Sequence, residues 1–360
     1  MTNARMRDLR VVVTAVGAPG AVNIVDALRK NGERKVTVLG TDIRPDPSGK
    51  AFVDSYRIVP RGSSPNYVKR IISVCREFKA DALLPLSTEE LVSLATNKKA
   101  IESRTGTKVS ISKEKSIRTA LMKAPMYRKL APEGVPVPEF RIVRSLDEFR
   151  RACRDLGYPG RSVCMKPSFA HGGRGFRHIA SLENTTEMLL ESKPEGSSIS
   201  FEEAERVLKG VREFPELIVM EYLPGKEYSV DLLCSKGVPR VAIPRLRTEV
   251  RSGISFNAVS ENNREAIRIS RQICRKVEFD GPIGIQLKED RNQKLKLLEI
   301  NPRLHGSVIL SVAAGVNIPY LALKECLGEK YVVPKPRYGT KMTRYWGASF
   351  HGQDGLSYTF

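Results

Sequence analysis

The 360-residue sequence predicts a mixed fold, α/β at its N-terminus and α+β beyond it. Two observations carry this expectation. From Leu9 to about residue 100, apolar strand-like runs alternate with amphipathic helical runs, the pattern of a parallel sheet covered by helices. Further on, ELIVMEYLPGKEYSVDLL gives a strand, a Pro-Gly turn and a second strand, and GPIGIQLKEDRNQKLKLLEIN reads as a β-hairpin.

The first unit is LRVVVTAVGAPGAVNIVDALRKNG: an apolar strand, a turn at Gly17 to Gly20, and a helix with Val22, Val25 and Leu28 on one face. The strand KVTVLGTDI ending near Asp42, the helical YVKRIISVCREFKA, the strand DALLPLS and the helical TEELVSLATNKKA continue the alternation, giving a Rossmann-like domain over residues 1–115. Gly17 to Gly20 followed by Asp42 has a superficial likeness to a dinucleotide fingerprint, but GxGxxG is not there, which disfavours NAD and FAD.

Residues 113–130 read as helical, and the run Gly134-Val-Pro-Val-Pro138 ends that helix because proline cannot continue it. The strand EFRIV, the helix DEFRRACRDLG and the strand VCMKPSF follow, then AHGGRGFRHI, where Gly172, Gly173 and Gly175 surround Arg174. Residues without a Cβ let backbone N–H groups approach phosphate oxygens, and Lys166 on the preceding strand is a point charge for the same anion. A flexible hairpin explains the glycines equally well. Ser200 and Glu203 form an expected capping box for a helix reaching about Lys209.

The Pro224-Gly225 turn is bracketed by Glu221 and Glu227. These carboxylates suit an adenine edge or ribose hydroxyls, with Met220 and Leu223 as apolar wall and backbone partners; exposed turn carboxylates are the alternative. In the final hairpin, Ile283, Ile285 and Leu287 alternate with Gly284, Gln286 and Lys288. Taking Asn292-Gln293 as a two-residue turn sets Gln286 opposite Glu299, with Asn301 two residues on along the same face. Three oxygen donors suit a hard cation such as Mg²⁺, and a plain polar outer face remains open. The region Val308 to Leu327 reads as helical, and residues 331–360 as an irregular tail.

Composition narrows the class. A hydrophobic fraction of 41% supports a real core; six scattered cysteines without a CxxC pair point away from zinc and from a secreted disulfide framework, towards a reducing cytoplasm. The basic start is a poor leader, and Val308 to Leu323, broken by Ser311, Asn317 and Pro319, is a poor membrane span. The net charge of +20 is compatible with nucleic acid or with anionic substrates, but only 7% of residues are aromatic and no RNA- or DNA-binding signature occurs. Ten basic residues against three glutamates between Lys236 and Lys276 mark the stretch where an anion would bind.

In chain order, the Rossmann-like domain, the helix with Lys123, KPSF, GGRG, MEYLPGKEYSVD, GPIGIQL and LLEINPR together resemble the ATP-grasp superfamily over residues 8–325. The likeness is greatest to the branch holding the carbamoyl-phosphate-synthase large chain and biotin carboxylase. It implies a small lid subdomain over 116–190 and a large subdomain with metal site and C-terminal tail over 191–360. It also implies that Lys123 and Lys166 hold phosphates, together with Gly172, Gly173, Arg174 and Gly175 of the flap. Met220, Glu221 and Leu223 would form the adenine hinge and Glu227 the ribose ligand. Gln286, Glu299 and Asn301 would bind Mg²⁺ or Mn²⁺, and Arg303 would steady the transferring phosphoryl group. Met122 departs from the family, where an Asp often precedes the lysine.

The implied chemistry is ATP-dependent phosphorylation of a carboxylate, then attack by an amine, giving an amide, ADP and phosphate. The substrate carboxylate is expected at Arg245 or Arg247, since a planar guanidinium suits bidentate binding. Phosphorylation of bicarbonate, as in carbamoyl phosphate synthesis, is the second reading, and a non-catalytic ATP-binding protein the third. Small-molecule carboxylate and amine partners, no membrane and a cytoplasmic location accompany this expectation, and a homodimer is compatible with it.

Overall fold

Five strands, β1 (Leu9–Val13), β2 (Val36–Asp42), β3 (Ser55–Ile58), β4 (Ala82–Leu84) and β5 (Lys108–Val109), pair in parallel in the order β3-β2-β1-β4-β5. These coordinates belong to a computed structural model that describes residues 6–168, 175–180, 197–251, 253–353 and 356–359. The chain falls into two compact units, one of residues 1–120, 227–286 and 300–360, the other of residues 121–226 and 287–299. The stretch 191–360, expected as one subdomain, therefore contributes to both.

In the first unit, Leu9, Val11, Val12 and Val13 are all buried, as a central parallel strand covered on both faces demands. Helices α1 (Ala21–Arg29), α2 (Tyr67–Phe78), α3 (Leu91–Thr96), α4 (Lys98–Thr105) and α5 (Glu114–Leu121) fall between and after these strands. Gly20 precedes α1 with φ 87°, and a Cβ there would stand 1.8 Å from the Gly306 carbonyl oxygen. Glycine is required at that position by angle and by space.

The second unit opens with α6 (Lys123–Leu130) and builds a sheet in the order β6-β10-β7-β8-β9 from β6 (Phe140–Val143), β7 (Val163–Pro167), β8 (Arg177–Ile179), β9 (Ser198–Ile199) and β10 (Leu217–Glu221). Its helices are α7 (Leu146–Asp155) and α8 (Phe201–Lys209), whose Phe149, Cys153 and Leu208 join Val163, Ile179 and Val219 of the sheet in one core. Ser200 caps α8 by accepting from the Glu203 N–H at 3.0 Å, while the Glu203 carboxylate turns to Arg206 rather than back to the cap. Half of the expected capping box forms.

A further sheet runs β15-β14-β11-β12-β13-β16. Its strands are β11 (Glu227–Ser235), β12 (Val238–Arg251), β13 (Ile254–Ser260), β14 (Gly281–Glu289), β15 (Leu295–Asn301) and β16 (Lys341–Thr343), with α9 (Arg264–Val277) between β13 and β14. The C-terminal helical stretch breaks at Gly315 into α10 (Ile309–Ala313) and α11 (Ile318–Leu327), the latter capped by the Asn317 side chain. Tyr320, Leu321 and Leu323 of α11 share a core with β1, β2 and α1. The tail is less irregular than its sequence reads: β16 pairs antiparallel with β13, and β17 (Phe350–His351) pairs with β18 (Ser357–Tyr358). Among the described residues no helix is long and apolar enough to cross a membrane.

Candidate functional site

Helix α6 begins on Lys123, and one turn later, on the same face, stands Tyr127. Lys166 projects from β7, with Nζ 3.4 Å from the Tyr127 hydroxyl; that hydroxyl donates to the Leu298 carbonyl at 2.7 Å. Both lysines are buried, and Lys123 Nζ lies 4.0 Å from a carboxylate oxygen of Glu299. Burial, and after it the charge of Lys123, pull the Lys166 ammonium down to about 8. Two cations thus share an enclosed place near one carboxylate, an arrangement that an anion such as a polyphosphate would relieve.

Gly172, Gly173 and Arg174 of the expected flap lie outside the described residues. Gly175 is described, with φ 71°, and a Cβ on it would stand 2.6 Å from Pro167 Cδ. Met220 and Leu223 are buried, and Glu221 at the end of β10 exchanges hydrogen bonds with Glu139, its carboxylate accepting from the Glu139 N–H at 2.8 Å and its own N–H donating to the Glu139 carbonyl. Close by in the same unit, the Tyr222 ring stacks on His178 with centroids 3.9 Å apart, and Lys288 lies 5.5 Å above it.

Arg245 and Arg247 are placed otherwise than a substrate-carboxylate role requires. Arg245 is fully buried; its Nε and Nη2 grip Asp231 at 2.6 and 2.8 Å, and its Nη1 donates to Ser307 at 3.0 Å. Arg247 pairs with Glu227, donates to Ser255 at 2.9 Å and to the Gly253 carbonyl at 2.7 Å. The cause is strand register. Glu227 stands directly opposite Arg247, and Ser229 opposite Arg245, so Asp231 is the diagonal neighbour of Arg245 on the same face. Both forks are filled from within the chain. Arg247 leaves one oxygen of Glu227 for another partner and holds the carboxylate in place.

The hairpin that carries Gln286 and Glu299 turns differently from the two-residue expectation. Asp290 N donates to the Lys294 carbonyl, Gln293 N to the Asp290 carbonyl, and the Asp290 carboxylate accepts from the N–H groups of Asn292 and Lys294. The loop is Arg291 to Gln293, with Gln293 at φ 58°. A side-chain-capped turn of this kind competes well with a tight one. Along β15, Leu295 and Leu297 are buried and then Ile300, so the alternation slips by one residue at Leu298 and Glu299. Glu299 and Asn301 are half-buried.

Arg303 donates to Thr88 at 3.1 Å and to the Leu304 carbonyl at 2.9 Å, and its Nη2 reaches Asn301 Oδ1 at 3.4 Å. The nitrogen of the same carboxamide lies 3.4 Å from His305 Nε2. Glu299 belongs to the second unit and Gln286 and Asn301 to the first; as donor types, a carboxylate and two carboxamide oxygens are those that hard divalent cations take beside phosphate. Among the described residues no three His, Cys, Asp or Glu side chains gather into a cluster that would hold a metal by themselves. The donor chemistry fits Mg²⁺ or Mn²⁺ bound together with an anionic ligand.

Tyr127, Thr88, Asp231 and His305 are partners of the candidate residues that reading the sequence missed. Tyr127 had a signal, its four-residue spacing from Lys123; the others are brought in from distant segments.

Comparison with known proteins adds an independent view. Residues 213–347 match the family model for an ATP-grasp in the biosynthetic pathway with Ter operon, and residues 11–110 match the PylC-like N-terminal domain. The carbamoyl phosphate synthase large chain of Pyrococcus furiosus is 26% identical over 265 residues, covering 69% of this chain and 23% of that one. This chain thus spans about a quarter of that relative's length. The N5-carboxyaminoimidazole synthetase of Staphylococcus aureus complexed with ADP superimposes with a TM-score of 0.65 at 14% identity, over 91% of this chain and 80% of that one. The biotin carboxylase domain dimer of Hydrogenobacter thermophilus 2-oxoglutarate carboxylase, with MgADP and bicarbonate, does so with 0.66 at 17%, over 93% and 73%.

Proposed function

We propose that this chain, an ATP-grasp protein distantly homologous to the carbamoyl phosphate synthase large chain, is a ligase that phosphorylates a carboxylate with ATP and passes the acyl group to an amine. The Lys123–Lys166 pair carries the reading: two buried ammonium groups near the Glu299 carboxylate suit phosphate oxygens. Met220, Glu221 and Leu223 bind the base, and Glu227, steadied by Arg247, takes a ribose hydroxyl. Gln286, Glu299 and Asn301 hold Mg²⁺ or Mn²⁺, which when bound neutralises phosphate charge. Arg303, held by Thr88 and the Leu304 carbonyl, stabilises charge on the transferring group without having to reorganise. Positioning and charge neutralisation suffice for phosphoryl transfer, so no nucleophilic side chain is needed.

Hydroxylamine tests this reading. With the correct carboxylate, Mg²⁺ and ATP, it should intercept the acyl phosphate as a hydroxamate, with ADP as nucleotide product. AMP and pyrophosphate would mean adenylate chemistry and would overturn it. A second reading, with bicarbonate as the phosphorylated acid, is favoured by the likeness to a biotin carboxylase domain holding ADP and bicarbonate. It predicts ADP release that depends on bicarbonate alone, and degassed, bicarbonate-free buffer separates the two.

A further inference from the structure

We propose that His305 is a positioning residue that fixes which end of the Asn301 carboxamide faces the divalent cation, a proposal that rests on the reading of Asn301 as a cation ligand. The oxygen and nitrogen of a carboxamide are nearly the same shape, but only the oxygen can bind a cation. An asparagine ligand therefore needs a neighbour that distinguishes its two ends.

His305 is such a neighbour. Its ring is buried, with Nδ1 3.1 Å from Asp231 Oδ1 and Nε2 3.4 Å from Asn301 Nδ2. Asp231 is a carboxylate and can only accept, so Nδ1 must carry the proton. In a neutral ring Nε2 is then bare and accepts from the Asn301 amide nitrogen. The oxygen of that amide is turned the other way, towards Arg303 Nη2.

The ring has no freedom to abandon this pose. Asp231 also receives Arg245 Nε and Nη2 and the Ser311 hydroxyl at 2.6 Å, so its oxygens are fully engaged and held. Arg245 Nη2 lies 3.4 Å from His305 Nδ1, the spacing of two donors that meet on one oxygen. Gly284 supplies an independent sign. A Cβ there would fall 2.1 Å from Nε2, 2.2 Å from Cε1 and 2.4 Å from Cδ2 of His305, so the ring occupies the place of a side chain at position 284. Residues 284 and 286 share a face of β14, and the ring thus lies on the face that carries Gln286. The arrangement is a carboxylate–histidine support one shell out from the cation, extended here to an asparagine.

Three measurements test the proposal. In the wild-type protein, imidazole ¹H–¹⁵N correlation should find His305, one of four histidines, as the Nδ1–H tautomer, assigned by its loss in His305→Asn. An Nε2–H tautomer would overturn the proposal. Mn²⁺ titration with ADP, read by electron paramagnetic resonance, should show about tenfold weaker binding in His305→Asn, which keeps a donor for Asp231 but offers Asn301 no acceptor. His305→Gln, with an oxygen near the Nε2 position, should restore most of it, and ADP affinity without metal should stay as in wild type in both. Unchanged Mn²⁺ binding in His305→Asn, with Asn301→Ala weakened, would reject the role of His305 and leave Asn301 a ligand. Unchanged binding in Asn301→Ala would reject the cation reading itself.

Discussion

Two buried clusters of charge behave in opposite ways. Around Asp231, the guanidinium of Arg245, the ring of His305 and the hydroxyl of Ser311 meet one carboxylate, and every charge is answered inside the chain. Burial alone would raise the Asp231 carboxyl, yet Arg245 and then His305 hold it well below the ordinary carboxylate range. Around Lys166, burial and the neighbouring Lys123 push the ammonium down, and the carboxylate of Glu299 reaches Lys123 only at 4.0 Å. The first cluster is complete as it stands and stabilises the fold. The second holds two buried ammonium groups close together, an arrangement that suits an anionic ligand.

The largest effect should come from unbalancing the complete cluster. Asp231→Ala strands Arg245 without its partner and should lower stability by about 3–5 kcal/mol, read by urea denaturation. A loss under about 1 kcal/mol would show that the buried pair is not the support described. Next, Lys166→Met should reduce kcat/KM for ATP by about 10²–10³-fold while the midpoint of thermal unfolding holds or rises, because a poorly solvated cation has been removed. A fall in both would move Lys166 into the structural class.

A third test uses the sign of the proton balance. The folded chain holds Lys166 at about 8 against an ordinary 10.5, so between those values the unfolded chain binds more protons, and the Lys166 contribution to stability becomes less unfavourable as pH rises through this window. Asp231 runs the other way at the acid end: its contribution is in place above its ordinary 3.8 and is lost as pH falls towards its lowered value. The stability difference between wild type and Lys166→Met should therefore shrink from pH 8 to 10.5, and the KM for ATP should climb above pH 8 in wild type alone. A flat difference would break the contrast between the clusters. The smallest effect is expected from Tyr127→Phe, which deletes the hydrogen bond to the Leu298 carbonyl and should cost about 1 kcal/mol with ATP turnover altered only a few-fold.

Whatever repeats over a short span is legible in the sequence. The βα alternation from Leu9 onward and the hairpin carrying Gln286 and Glu299 were readable, because period and turn chemistry are local properties; that the strands on either side of Pro224-Gly225 join different sheets was not. The family likeness was readable too, since its motifs are contiguous. Tertiary structure alone decided which charges are spent. Nothing near Arg245 in sequence says that β11 will lay Asp231 diagonally across from it, or that Glu227 will face Arg247; those follow from strand register, set by pairing over the whole strand. The turn at Asp290, a backbone response to a side-chain cap, and the break in burial alternation near Leu298 were likewise invisible to a strict period of two. His305 reaches Asn301 from four residues away only because Gly284, on another strand, yields the space, and room made by one segment for another exists only in the folded chain.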